Sequence, residues 1–139
     1  MLELDRFLPY LVNKLAGRLS DGLATVYQQR FGITIPEWRV IAHLAGNKNV
    51  SIREIFVRVA MDKSKVSRAA ARLELVGFVE KNVNSADRRL IELQLTAKGR
   101  RLFAAIEPLA LAYEREALSA FSAREEEVFR KLVGKLLCD

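Results

Sequence analysis

Asp87, Arg88 and Arg89 stand side by side between two short runs, "FVEKNV" and "LIELQLT", that read as strands. They fall at the tip of a hairpin, where turn residues are expected rather than two adjacent guanidiniums. An arginine carried on such a tip can reach past the fold into a DNA minor groove, most readily a narrow A·T-rich one of enhanced negative potential. The Asp87 carboxylate can accept from turn amides or from a neighbouring guanidinium and so hold that arginine's direction. The plain alternative is a surface ion pair worth roughly 0–1 kcal/mol.

A second set precedes it. Lys63, Ser64, Lys65, Ser67 and Arg68 crowd the start of "DKSKVSRAAARLE", and Arg72 follows on the same segment. Lysine and arginine read guanine edges or phosphates, serine can take either role, and a helix N-terminus adds backbone donors for phosphate. The alternative is an exposed, solvated basic face. Other chemistry is poorly served. There is no Gly-rich phosphate loop, no G-x-S-x-G and no His/Cys cluster, since the chain has one His and one Cys. An enzyme, a metal site and a bound cofactor are therefore not expected. Glu125, Glu126 and Glu127 suit the start of a helix, where the macrodipole favours acid.

The elements that would position these groups can be placed from spacing. Leu8, Leu11, Leu15, Leu19, Leu23 and Val26 predict an amphipathic helix over about 4–30, with Pro9 near its start and Gly32 as its stop. Thr34 with Glu37 forms a capping box opening a helix that ends near Gly46; Ser51 with Glu54 opens a short one. Asp62 caps the next helix, which turns Val66, Ala69, Ala70, Leu73 and Val76 inward and stops at Gly77. Three helices joined by short turns, then a two-stranded hairpin, follow in that order. A long helix comes next, presenting Leu102, Ile106, Leu109, Tyr113, Ala117 and Phe121, with Pro108 expected to kink it. Ser122 and Glu125 form a third capping box, before a last helix with Val128, Phe129, Leu132, Val133, Leu136 and Leu137 inward. The fold class is mainly α with a small β-hairpin.

The chain has 139 residues, enough for one domain with its own core. Its net charge is +6, and residues 48–101 hold 13 basic against 6 acidic residues, while both flanks are near neutral. A polyanion partner suits that middle region. The long leucine-rich ends exceed what the middle can cover, so they are expected to pack on a second copy of themselves. Lacking an apolar run of membrane-spanning length and a signal-peptide pattern, the chain is expected in the cytoplasm. The single Cys138 cannot form an internal disulfide.

In this order, "KSKVSRAAARLE", "GFV", Asp87-Arg88-Arg89 as Asp-x-Arg, and "LTAKGR" resemble the MarR family of winged helix-turn-helix repressors, over nearly the whole chain. The resemblance implies a single domain, 1–139. Within it, 33–101 form the winged helix-turn-helix lobe, and 1–32 with 102–139 are dimerisation helices. It implies a homodimer on a pseudo-palindromic DNA operator, with one recognition helix per half-site. Asp87 would orient Arg89 into the minor groove, and Arg88 would contact phosphate or serve as a second tip residue. It also implies release by a small, often aromatic anion, or by oxidation. The implied effector pocket lies where the first, second and long C-terminal helices meet, with Tyr10, Arg18, Trp38, Arg39 and His43 as the residues to inspect. Trp38 and His43 are five apart and do not share one tight helix face. The peroxide-sensing variant needs a cysteine in the first helix, which is missing here, and Cys138 is at most an incidental redox site. Two other readings stay open: a ligand-independent or architectural DNA-binding factor, and a winged-helix protein-interaction module.

Overall fold

The computed structural model describes residues 1–47 and 50–138. A short 3-10 turn, Leu4–Arg6, leads into α1 (Leu8–Phe31), which is followed by α2 (Ile35–Ala45), β1 (Val50–Ser51), α3 (Ile52–Arg58) and α4 (Lys63–Leu75). Then come β2 (Val79–Val83), β3 (Ile91–Leu95), α5 (Ala97–Ala117) and α6 (Ala123–Leu137). The first helix is thus interrupted at Phe7, whose backbone is extended, and restarts with Pro9 in its opening turn. Gly32, at φ 65°, stops α1 in the left-handed conformation that glycine adopts without a Cβ clash.

The capping chemistry explains most boundaries. Thr34 accepts from the Glu37 amide at 3.3 Å, while the Glu37 carboxylate accepts from the Thr34 amide at 2.8 Å. Ser122 and Glu125 make the same reciprocal pair. At Ser51 only half the expected box forms: its hydroxyl accepts from the Glu54 amide, but Ser51 itself belongs to β1 and lies opposite Glu92 of β3. The hairpin is therefore a three-stranded antiparallel sheet in the order β1-β3-β2, not a two-stranded one. Two residues of strand are too few to show alternation in a sequence. Pro108 lies within α5, which continues as a helix on both sides of it.

The core lies between the middle helices and the sheet. Val40, Ile41, Ile55, Val66, Leu73, Val79, Leu93 and Ile106 are all buried within it. The junction into α5 depends on close backbone approach. Thr96 accepts from the Gly99 amide and donates its hydroxyl to the Gly77 carbonyl, and a Cβ on Gly99 would lie 2.0 Å from the Phe78 carbonyl oxygen. Gly22 plays a similar part where α1 meets α5, facing the Tyr113 hydroxyl that donates to the Leu19 carbonyl.

The ends behave differently. None of α6 is buried within one chain, and Val128, Leu132, Val133, Leu136 and Leu137, expected inward, are exposed. Leu8, Leu11 and Leu15 of α1 are likewise exposed. No helix among the described residues is long and apolar enough to cross a membrane.

Candidate nucleic-acid interface and effector cavity

The helix α4 has two faces. Val66, Ala69, Ala70 and Leu73 are buried, and Lys63, Ser64, Lys65, Ser67 and Arg68 are exposed. Asp62 caps the helix, accepting from the Ser64 amide at 2.9 Å and from the Ser64 hydroxyl at 3.0 Å. These hydrogen bonds, with Lys65 and Arg68 nearby, hold the Asp62 carboxyl below the usual carboxylate range. One amide expected to be free for phosphate is therefore occupied, and the Ser64 hydroxyl offers its oxygen rather than its proton outward.

Arg72 is placed differently from its neighbours. Its Nη1 donates to the Glu37 carboxylate at 2.6 Å, and Glu37 is only 2 % exposed. Because the other Glu37 oxygen accepts from the Thr34 amide, one carboxylate closes the start of α2 and ties it to α4. Arg72 lies on α4 with its guanidinium committed to the fold on one side.

The wing resolves the oddity of its tip. Turn chemistry comes from Asn84, whose side-chain oxygen accepts from the Ala86 and Asp87 amides at 2.8 and 2.9 Å. Its amide nitrogen donates to Glu92. Asn84 N–H to Leu90 O and Leu90 N–H to Asp87 O close the loop. Asp87 then grips Arg89 three ways: Oδ1 accepts from the Arg89 backbone amide and from Nε, both at 3.1 Å, and Oδ2 accepts from Nη2 at 3.2 Å. These bonds hold the Asp87 carboxyl below its ordinary range, with a contribution from the charge of Arg53 on α3. The Arg89 side chain remains 87 % exposed. The arrangement presents a guanidinium in a defined direction, which a lone surface pair would not do. Arg88 is exposed beside it.

Behind this lobe lies a cavity of about 740 Å³ where α1, α2, α5 and α6 meet. Its walls are largely apolar, with Tyr27, Trp38, Tyr113 and Phe129 contributing rings and Ser20, Arg39, Glu114 and Arg130 contributing polar groups. Trp38 stacks between Tyr27 and Phe103, with ring centroids 5.4 and 6.0 Å apart. Burial pushes the Tyr27 phenol up to about 12, so it stays protonated and neutral. Arg130 already holds Glu126 at 2.9 Å and Glu114 at 3.4 Å. Arg39 has no ion pair among the described residues; its Nη2 donates to the Ser20 hydroxyl at 3.4 Å and its Nη1 to the Val59 carbonyl at 3.5 Å.

The MarR family model matches residues 31–101, from the end of α1 to the start of α5. The chain belongs to the MarR family. A crystal structure of a MarR/EmrR family regulator from Acinetobacter sp. ADP1 superposes with a TM-score of 0.87 at 32% identity, covering 97% of this chain and 95% of that one. The transcriptional regulator HosA of Escherichia coli O127:H6 is 29% identical over 105 residues, 76% of this chain and 78% of its own length. BpsR of Bordetella bronchiseptica, solved in work on regulation of its DNA binding by 6-hydroxynicotinic acid, shares the fold with a TM-score of 0.87 at 18% identity, covering 100% and 99% of the two chains. The chain is therefore a winged-helix, DNA-binding transcriptional regulator, in a family of regulators rather than enzymes.

Within this MarR-family frame, the residues singled out in the sequence fall into separate groups. Lys63 to Arg68 lie along the exposed start of the recognition helix, and Asp87 to Arg89 at the wing tip. Trp38 and Arg39 line the cavity together, but Tyr10, Arg18 and His43 are not in its walls. Tyr10 is near the exposed start of α1, and His43 faces the charges of Glu54 and Arg58 on α3. The His43 Nε2 is buried without a hydrogen-bond partner among the described residues, and burial, reinforced by Arg58, lowers its basicity. Ser20, Tyr27 and Tyr113 also line the cavity; helical spacing marked Tyr113 only as part of an inward face and did not single out Ser20 or Tyr27. Arg53 of α3 is close enough for its charge to act on Asp87, a proximity that the "SIRE" helix start did not reveal.

Proposed function

We propose that this MarR-family chain is a cytoplasmic homodimeric repressor that holds a pseudo-palindromic DNA operator and releases it when a small aromatic anion binds. The observation that carries the reading is Arg89, fully projecting yet braced by both Asp87 oxygens, on the lobe that also exposes the basic start of α4. Lys63, Lys65, Arg68 and the hydroxyls of Ser64 and Ser67 enter the major groove, Arg89 the minor groove, and Arg88 and Arg53 supply phosphate contacts. The exposed leucines of α1 and α6 form the dimer face, which sets two recognition helices about one DNA turn, ~34–36 Å, apart. The cavity has the size and apolar lining usual for a small ligand, and the regulation of BpsR by 6-hydroxynicotinic acid supports an aromatic acid as its occupant.

Mobility shift against a duplex carrying the upstream region of its own gene tests this. Binding is expected at low salt, weakening steeply as salt rises, with release by members of a panel of aromatic acids that also raise Tm. Lack of binding even at low salt would sink the DNA reading in favour of a protein-interaction module. Binding with no response across the panel would favour a ligand-independent factor.

A further inference from the structure

We propose that Arg39 couples the cavity to the recognition helix, by holding the turn that leads into α4 and giving it up to an anion. The proposal rests on the reading of the cavity as an effector site, and it specifies how occupancy is transmitted. Arg39 is anchored from both sides of the molecule: Ser20 belongs to α1, at the cavity wall, and Val59 is the C-cap of α3. Only Ala60 and Met61 separate Val59 from Asp62, the N-cap of α4. Ala60 has φ 53°, a left-handed conformation that alanine adopts only under constraint from its surroundings. The Val59 carbonyl is one of the helix-end acceptors that needs a partner, and Arg39 supplies it.

Both Arg39 bonds are long, at 3.4 and 3.5 Å against a usual 2.9–3.0 Å for N–H···O. A carboxylate offers a shorter, charge-assisted bond, so it draws the guanidinium away from a neutral carbonyl. Of the two cationic groups in the cavity wall, Arg130 is already held by two glutamates, which leaves Arg39 as the one without an ion pair among the described residues. The aromatic wall of Trp38 and Tyr27 beside Arg39 suits a flat ring carrying that carboxylate. Occupancy thereby removes a support from a constrained turn three residues from the start of the helix that reads DNA.

The experiment needs no known effector. Ser20→Asp places a carboxylate on the cavity wall where the serine hydroxyl already meets Arg39, and Ser20→Asn is its uncharged control. Hydrogen exchange is followed at the Val59, Ser64 and Val66 amides, whose bonds to Ile55 O, Asp62 Oδ1 and Asp62 O bracket the turn. Roughly fivefold or faster exchange is expected at these amides in Ser20→Asp and in Arg39→Gln, with Ser20→Asn near the parent and α5 amides unmoved. Ser20→Asp should add nothing in the Arg39→Gln background. Equal exchange in the Asp and Asn variants overturns the proposal; should Ser20→Asp not fold, unchanged exchange in Arg39→Gln does so instead. Trp38, the only tryptophan, reports cavity occupancy by fluorescence with benzoate and 6-hydroxynicotinate as probes. Probe binding without any effect of Ser20→Asp overturns the coupling and keeps the effector site. Faster exchange in Ser20→Asp with no probe bound supports the coupling and removes support for an aromatic-acid effector.

Discussion

Replacing Arg72 by Met should cost the protein about 2–3 kcal/mol, and the estimate follows from what Glu37 is left with. Breaking a buried ion pair by removing one partner typically costs about 3–5 kcal/mol, because an uncompensated charge stays inside. Here the carboxylate is 2 % exposed, but the Arg72 side chain is 50 % exposed, so water already shares its solvation and the loss falls below that range. Glu37 would also keep the Thr34 amide at 2.8 Å. The reverse change, Glu37→Gln, preserves an acceptor for Thr34 and leaves the half-exposed guanidinium to solvent, for about 1 kcal/mol. In the double variant no charge is stranded, so the two costs should fail to add by about 1–2 kcal/mol. Urea unfolding of the four proteins at one fixed protomer concentration measures this, since self-association makes stability concentration-dependent. A loss below about 0.5 kcal/mol for Arg72→Met, with additive behaviour in the double variant, would refute the assignment of Glu37–Arg72 as the tie between α2 and the recognition helix.

Other outcomes follow from the same geometry. Arg89→Ala should weaken operator binding at least tenfold, roughly 1.4 kcal/mol, and flatten the preference at A·T positions flanking each half-site, as read by competition mobility shift. Asp87→Ala leaves the arginine but frees its direction, so a smaller loss of affinity is expected with little change in Tm. Gly99→Ala should destabilise by more than about 2 kcal/mol or prevent folding, because its Cβ would meet the Phe78 carbonyl backbone at 2.0 Å rather than a movable side chain; thermal unfolding reads it. His43 gives an acid-side dependence. Its folded basicity lies below the ordinary value of 6.5, so the neutral form is favoured by the fold, and stability is full above that pH and declines as pH falls through the lowered value. His43→Leu should flatten the stability profile between pH 7 and 5.

Local signals carried much of this into the sequence. Thr34–Glu37 and Ser122–Glu125 mark helix starts because both halves of each box lie three residues apart, and α4 is legible from Asp62, the inward Val66-to-Leu73 face and the stop at Gly77. Glu37 is readable as a capping residue but not as the partner of Arg72, 35 positions away, since nothing local encodes that contact. The same holds for Arg39 with Ser20 and Val59. Asn84 differs: its bonds to the Ala86 and Asp87 amides are local turn chemistry open to sequence reasoning, and only its contact with Glu92 depends on the wing's strand pairing. The apolar stripe of α6 is plain in the sequence, but its burial is not, because one chain leaves most of it exposed.

Under the proposed pairing, that uncovered stripe would link the amount of protein in a cell to its hold on DNA. If two chains must meet before either terminal helix is sheltered, pairing and folding of those ends share one equilibrium that dilution drives backward. On the proposed operator, two half-sites on one duplex would bring two chains into each other's vicinity and so act as a template for that encounter. Occupancy should then rise more steeply than in proportion to protein, so that near its own dissociation point a twofold change in expression shifts the regulated promoter by more than twofold.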